Sequence, residues 1–284
     1  MLLWPQHPNI PFICLRKELP FILIALKAAK YSPTEMGLRL QKVGQRAMNI
    51  SSILESVVRT ARSHGKSSAF YDVAFRGLNK CVYYRVLQCL VIEDINQKCV
   101  ALPPQFRFVK LELSDLMKFS GNSEHELKPG FIHASLEKGD ECYAILDGDA
   151  LASYGWYSRR PTLLDNEELV LRFDRSYVYM YKGLTLAAYR GQRLHAIGMT
   201  RALATYKGMG HRGLISYVES NNFDSLRSCY RMGYKDCGLI RVVRVGGKYF
   251  VRRQSSCDQY GLGVDLNGSD YLASKARSNS PNLV

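Results

Sequence analysis

From Ser176 onward the sequence passes from an aromatic, β-branched run, SYVYMYKGLTLAA (176–188), straight into YRGQRLHAIGMTRALATYKGMG, with no spacer between them. The first run predicts a strand, the Arg190-Gly191 step a tight turn, and the residues beyond it a helix from about 191 to 208. A strand feeding directly into a helix start confines the chain to folds that mix sheet and helix. It also creates a particular chemical environment. The first turn of a helix presents unpaired N–H groups and the positive end of the helix dipole, which is how proteins cradle phosphate. Gly191 permits close backbone approach, and Arg190 and Arg193 add charge suited to a pyrophosphate. An ordinary strand-to-helix turn with surface arginines would use the same residues.

The flanking segments extend the pattern. Downstream come a strand GLISYVE (213–219), a helix from about 222 to 232, and two closing strands around Gly246-Gly247. Upstream, CVYYRVLQCLVIE (81–93) and FRFVKLEL (106–113) read as strands. Ser114 is placed to cap a short helix SDLMKFS, and a second helix covers 124–138 with Leu127, Phe131, Ile132 and Leu136 inward. CYAILDG (142–148) and ALASYGWYS (150–158) form a hairpin through Asp147-Gly148. Four prolines punctuate residues 5–20, followed by an amphipathic run whose apolar face includes Met36, Leu40, Val43, Ala47, Ile50, Leu54 and Val57, ending at His64-Gly65. Four segments follow from this: a basic, partly helical N-terminal extension (1–64), a linking strand segment (65–105), a main domain (106–255) and a polar tail (256–284), disordered after Leu266.

The formal charge of +14 over 284 residues calls for an anionic partner: nucleic acid, a membrane surface or a polyphosphorylated ligand. No stretch has the ~20 apolar residues of a membrane span. LPFILIALKAA (19–29) resembles the core of a secretion signal, but Lys27 and Lys30 stand where a cleavage site needs small neutral residues. The eight cysteines never form a C-x-x-C pair, so the reading is reduced thiols, no metal site and a cytoplasmic location.

The order strand, Arg-Gly loop, helix, strand, and then N-x-x-S-L-x-x-x-x-x-x-G-Y from Asn222 through Ser225, Leu226, Gly233 and Tyr234 resembles the GNAT superfamily of N-acetyltransferases over residues 106–255. The resemblance implies an α+β fold: a mixed sheet whose fourth and fifth strands splay to admit acetyl-CoA or another acyl-CoA. Its pyrophosphate would lie on Arg190, Gly191, Gln192, Arg193, Leu194 and His195. The pantetheine would run beside Leu186, Ala187 and Ala188 and meet Asn222. The implied reaction is direct attack of a primary amine on the thioester, with a base taking the amine proton and an acid protonating the departing thiolate. The acid falls to Cys229, at the position of the family's usual tyrosine, or to Tyr230 beside it. Glu219 at the end of the fifth strand is the candidate base, and otherwise a salt-bridge partner.

This sequence departs from the family loop, Arg/Gln-x-x-Gly-x-Gly/Ala, by placing Arg193 and His195 at the later small positions. Aromatic rings in 154–158 and 177–181 fit either core packing or an acceptor pocket, for a small amine such as an amino sugar. The alternatives are a catalytically inactive acyl-CoA-binding module and a nucleic-acid-binding module using the basic N-terminal helix and RVVRVGGKYFVRR (241–253). Monomer and homodimer are equally compatible with the sequence.

Overall fold

The hairpin and the strand-to-helix transition organise the structure, a computed structural model that describes residues 50–164 and 168–266. Two compact units emerge, one comprising residues up to Val86 with Glu219–Phe223 and Arg241–Arg252, the other Leu87–Val218 with Asp224–Ile240 and residues from Arg253 on. Most of the amphipathic face expected over 36–57, and the tail after Leu266, lie outside the described residues.

In the first unit, α1 (Ile50–His64) ends where the sequence places the stop, and a second helix, α2 (Lys66–Cys81), follows at once. The sequence reading treated this stretch as part of a linker, because α2 turns Ser68 and Asp72 inward beside Ala69, Tyr71 and Phe75, which blurs the apolar periodicity. Those inward polar groups are paired. The Tyr71 hydroxyl lies 2.6 Å from Ser220 Oγ, and Asp72 accepts from Arg76 Nε at 2.9 Å and Asn221 Nδ2 at 3.0 Å. Buried polar atoms need such partners, and here they fix the turn at 219–222.

The main sheet is mixed. Its strands are β1 (Tyr83–Ile92), β2 (Phe106–Leu111), β3 (Glu141–Asp147), β4 (Ala150–Ser158), β7 (Tyr177–Thr185), β8 (Gly213–Glu219) and β9 (Lys235–Val245), in the order β9-β1-β8-β7-β4-β3-β2. The ladder from β2 through β7 is antiparallel, and β7 pairs parallel with β8. β5 (Thr162–Leu163), β6 (Val170–Arg172) and β11 (Gly263–Asp265) form a small separate sheet. β10 (Lys248–Arg253) completes the strands, beside β9.

One sheet face carries α3 (Leu113–Ser120) and α4 (Pro129–Lys138), whose Leu116 and Ile132 pack with Cys142, Ala144 and Trp156. The other carries α5 (Leu194–Gly208) and α6 (Phe223–Met232), with Met199, Leu203, Tyr206 and Leu226 against Val178 and Leu214. Local chemistry shifts two expected boundaries. Glu112, not Ser114, caps α3, in a reciprocal capping box with Asp115. The helix expected over 124–138 begins only at Pro129, because the residue before a proline is driven out of the helical region and Lys128 is extended.

Candidate active site

The decisive feature lies between β7 and β8. Their parallel ladder comprises Tyr177↔Gly213, Val178↔Leu214 and Tyr179↔Ile215, and stops there. β7 runs on to Thr185, paired only on its β4 side, where a register shift opposite Trp156/Tyr157 leaves Tyr181 as an extra, bulged residue. At the point of parting, Ser216 Oγ donates to the Met180 carbonyl. A wedge therefore opens in the sheet, with one edge of β7 free of a strand partner among the described residues.

β7 leads through a 3-10 turn (Ala187–Tyr189) to α5. Leu186 N–H donates to Ala152 O at 3.0 Å, while Ala187 and Ala188 are exposed. Arg190, Gly191, Gln192 and Arg193 are exposed in turn, with Gly191 at φ 84° and nothing within 4 Å of where its Cβ would stand. Arg193 occupies the N-cap at φ 62°, a left-handed conformation rare for a residue with a side chain, and makes no side-chain cap bond. The N–H groups of Leu194, His195 and Ala196 find no backbone acceptor among the described residues, and Ile197 N–H is the first to close, onto Arg193 O at 3.0 Å.

Leu194 turns into the core, and His195 packs against β7. A Cβ on Gly183 would lie 2.7 Å from His195 Cε1 and 2.7 Å from Met180 Cε, so glycine is what lets the imidazole approach the strand. Loss of hydration holds His195 below the usual histidine range.

On α6, Cys229 and Tyr230 part company, as their ~100° separation requires. Cys229 is half-buried against the Met199, Leu226 and Tyr234 cluster, and burial pushes its thiol up to about 12. Tyr230 instead donates to Asp236 Oδ1 at 2.7 Å; burial and that carboxylate both raise its hydroxyl. Tyr234, given no role from sequence, is buried in the same cluster, and burial raises its hydroxyl. Its only sequence signal was its place at the end of the N-x-x-S-L…G-Y motif.

Glu219 and Asn222 belong to the first unit. There Glu219 Oε1 lies 2.7 Å from Arg85 Nη1, and its backbone carbonyl accepts from Asn222 N–H at 2.8 Å. Asn222 is exposed. The aromatic clusters are mostly core: Tyr154, Trp156, Tyr157, Tyr177 and Tyr179 are buried, and Tyr154 donates to His125 O at 2.9 Å. Tyr181 is half-buried, stacked on Tyr179 at 5.6 Å and donating to Asp140 Oδ2 at 2.8 Å. Among the described residues no group of three or more His, Cys, Asp or Glu side chains is placed to hold a metal, and no helix is long and apolar enough to cross a membrane.

No family model matches the chain. No curated protein matches it either. Solved structures do. The chain is similar to a GNAT-family protein from Novosphingobium aromaticivorans, at 12% identity and a TM-score of 0.41, over 61% of this chain and 67% of that one. It is similar to a GNAT-family acetyltransferase from Colwellia psychrerythraea at 15% identity and a TM-score of 0.39, spanning 60% of each chain. A third is an aminoglycoside N-acetyltransferase in complex with CoA, at 12% identity and a TM-score of 0.38, over 47% of this chain and 92% of that one.

Proposed function

We propose that the chain is an N-acyltransferase that takes an acyl group from a coenzyme A thioester and delivers it to a primary amine, with residues 106–255 as the acyltransferase domain. The observation that carries this reading is the wedge between β7 and β8, whose free strand edge leads directly to a helix start with unpaired N–H groups and exposed arginines. A free edge accepts an amide-bearing chain as an added strand. A helix N-terminus accepts phosphate. The two lie in sequence along one path, as the amides and pyrophosphate of coenzyme A do.

The fit extends to individual groups. The N–H groups of Leu194, His195 and Ala196, with Arg190 and Arg193, would hold the pyrophosphate, and Leu186, Ala187 and Ala188 would flank the pantetheine. Arg193 stands at a position where the family pattern has glycine, yet its side chain is exposed and leaves the loop open. Bound there, the thioester supplies an activated acyl carbon.

The residues here position, exclude water and move protons. Cys229 keeps its proton at neutral pH and is the better donor to the departing thiolate, because the Tyr230 hydroxyl is already given to Asp236. Glu219, paired with Arg85 within the first unit, stays the base that the family resemblance implies. The acceptor is a small amine, an amino sugar being one instance. The reduced thiols fit a cytoplasmic setting.

The absence of a free tyrosine acid on α6 favours one second reading, an acyl-CoA-binding module without turnover. Titration calorimetry with acetyl-CoA and coenzyme A tests the common part. Micromolar binding that Arg190→Ala with Arg193→Ala loses supports the site, and no binding at millimolar ligand overturns it. Product formation with a panel of amines then separates enzyme from binding module.

A further inference from the structure

The main sheet ends at β10, followed inward by β9 and then β1. The chain that forms this corner, RVVRVGGKYFVRR (241–253), contains no acidic residue. Tyr83 stands on β1 and Tyr249 on β10, with β9 between them, yet their ring centroids are 5.9 Å apart at 87°. Strands separated by one neighbour lie roughly 10 Å apart, so the two rings lean towards each other across β9 on one face of the sheet. Arg244 of β9 rises on the same face, its guanidinium carbon 5.0 Å from the Tyr249 ring centroid. Arg85, two residues on from Tyr83, shares that face, 5.3 Å over the Tyr83 ring and 2.7 Å from Glu219.

The helix of this corner lies on the other side. Tyr84, which alternation turns away from Tyr83, packs its ring against Phe75 of α2 at 5.8 Å. On the edge strand, Lys248, Phe250 and Arg252 alternate with Tyr249 and are all exposed, Phe250 at 52%. The rim of β10 therefore carries a ring between two cations, beside a face that carries two rings and two arginines.

The charge around it is one-sided. Over its described residues the first unit has ten Lys and Arg side chains against three acids, Glu55, Asp72 and Glu219, a net of +7. Two of those acids are already engaged, Asp72 by Arg76 and Asn221, and Glu219 by Arg85.

We propose that this corner of the sheet is a binding surface for single-stranded nucleic acid. Bases stack on the rings of Tyr83 and Tyr249, and Arg244, Lys248 and Arg252 meet the phosphates. A duplex keeps its bases stacked on one another and would leave the rings without a role, while a bilayer needs more inserted apolar area than Phe250 offers on this strand. Every residue invoked belongs to the first unit, so the inference does not rest on the acyl-transfer reading.

The test measures fluorescence anisotropy of labelled oligouridylate and oligothymidylate, each of about 20 nucleotides, with the purified full chain across a salt series. Binding of either supports the proposal and tells RNA from DNA; binding of neither overturns it, and capture by phosphatidylserine vesicles in its place assigns the surface to a membrane. Arg244→Ala with Lys248→Ala and Arg252→Ala should lower the log–log salt slope by about 2, because each phosphate contact on a single strand contributes ~0.7. Tyr83→Ala with Tyr249→Ala should weaken binding about 10-fold at an unchanged slope, and Tyr83→Phe with Tyr249→Phe should restore it to within about 2-fold. Lys118→Ala with Lys128→Ala and Arg175→Ala removes the same charge from exposed positions of the second unit and should leave the affinity within about 2-fold. An equal loss in that variant would reduce the binding to net charge and overturn the proposal. Ultraviolet cross-linking of 4-thiouridine RNA to the wild type needs no variant: cross-links should fall on peptides containing Tyr83 or Tyr249, and cross-links confined to other peptides refute the surface.

Discussion

Arg193→Gly should strengthen the fold and weaken the ligand site at once. Arg193 sits at φ 62°, and the left-handed region costs a residue with a Cβ about 1–2 kcal/mol. Glycine removes that strain but widens the unfolded ensemble, which costs about 0.4–1 kcal/mol. The arginine makes no side-chain cap bond to be lost, so the net change is a stabilisation of about 1 kcal/mol. In thermal unfolding this appears as a rise of about 2–4 °C for a unit of this size. The same substitution deletes an exposed cation beside the helix start, worth about 1–1.5 kcal/mol to a bound phosphate, so coenzyme A should bind about 5- to 10-fold more weakly by calorimetry. The loss should shrink at high salt, because exposed charges are screened. A lower melting temperature would refute the strain argument. A higher one with unchanged affinity would remove Arg193 from the ligand site.

Cys229→Ala should lower kcat for amine acylation by about 100-fold with little change in coenzyme A affinity, whereas Tyr230→Phe should leave kcat within about 2-fold and cost about 1 kcal/mol of stability; steady-state kinetics and urea unfolding distinguish them. For His195 the folded value lies below the unfolded one, so its contribution to stability is full above the unfolded pKa of about 6.5 and is lost as pH falls towards the lower folded value. The wild-type stability curve should therefore decline below pH ~6.5 with a component of up to about 1.4 kcal/mol per unit that His195→Asn lacks, as chemical denaturation across pH would show. Gly183→Val should force His195 and Met180 from the strand and lower both the melting temperature and coenzyme A affinity; an unchanged affinity would detach the wedge from the ligand.

Much of the main architecture was legible because it rests on local periodicity. The hairpin at Gly148, the aromatic strand, the turn at Gly191 and the helix beyond it each announce themselves within a dozen residues. α2 did not, since its inward face carries Tyr71 and Asp72, whose partners Ser220 and Asn221 lie 149 positions away. The same limit governs the site. The loop and its exposed arginines are local features, but the choice between Cys229 and Tyr230 depends on Asp236 capturing one hydroxyl and on the core cluster that takes up the thiol. No spacing encodes those contacts. His195 read as a ligand-facing group from its place in the loop, while the structure folds its ring back onto a glycine in β7.

The ladder between β7 and β8 has only three residue pairs, whereas β4 meets β7 through six. Among the described residues, those three pairs are the ladder that joins β8 to β7. A ladder this short holds two twisted strands together over three residue pairs only, so they diverge soon after it ends. An extended chain that entered the wedge would pair with the β7 edge that β8 leaves unpaired. Hydrogen exchange should accordingly find the amides of Tyr179 to Ser216 among the most ligand-sensitive in the sheet.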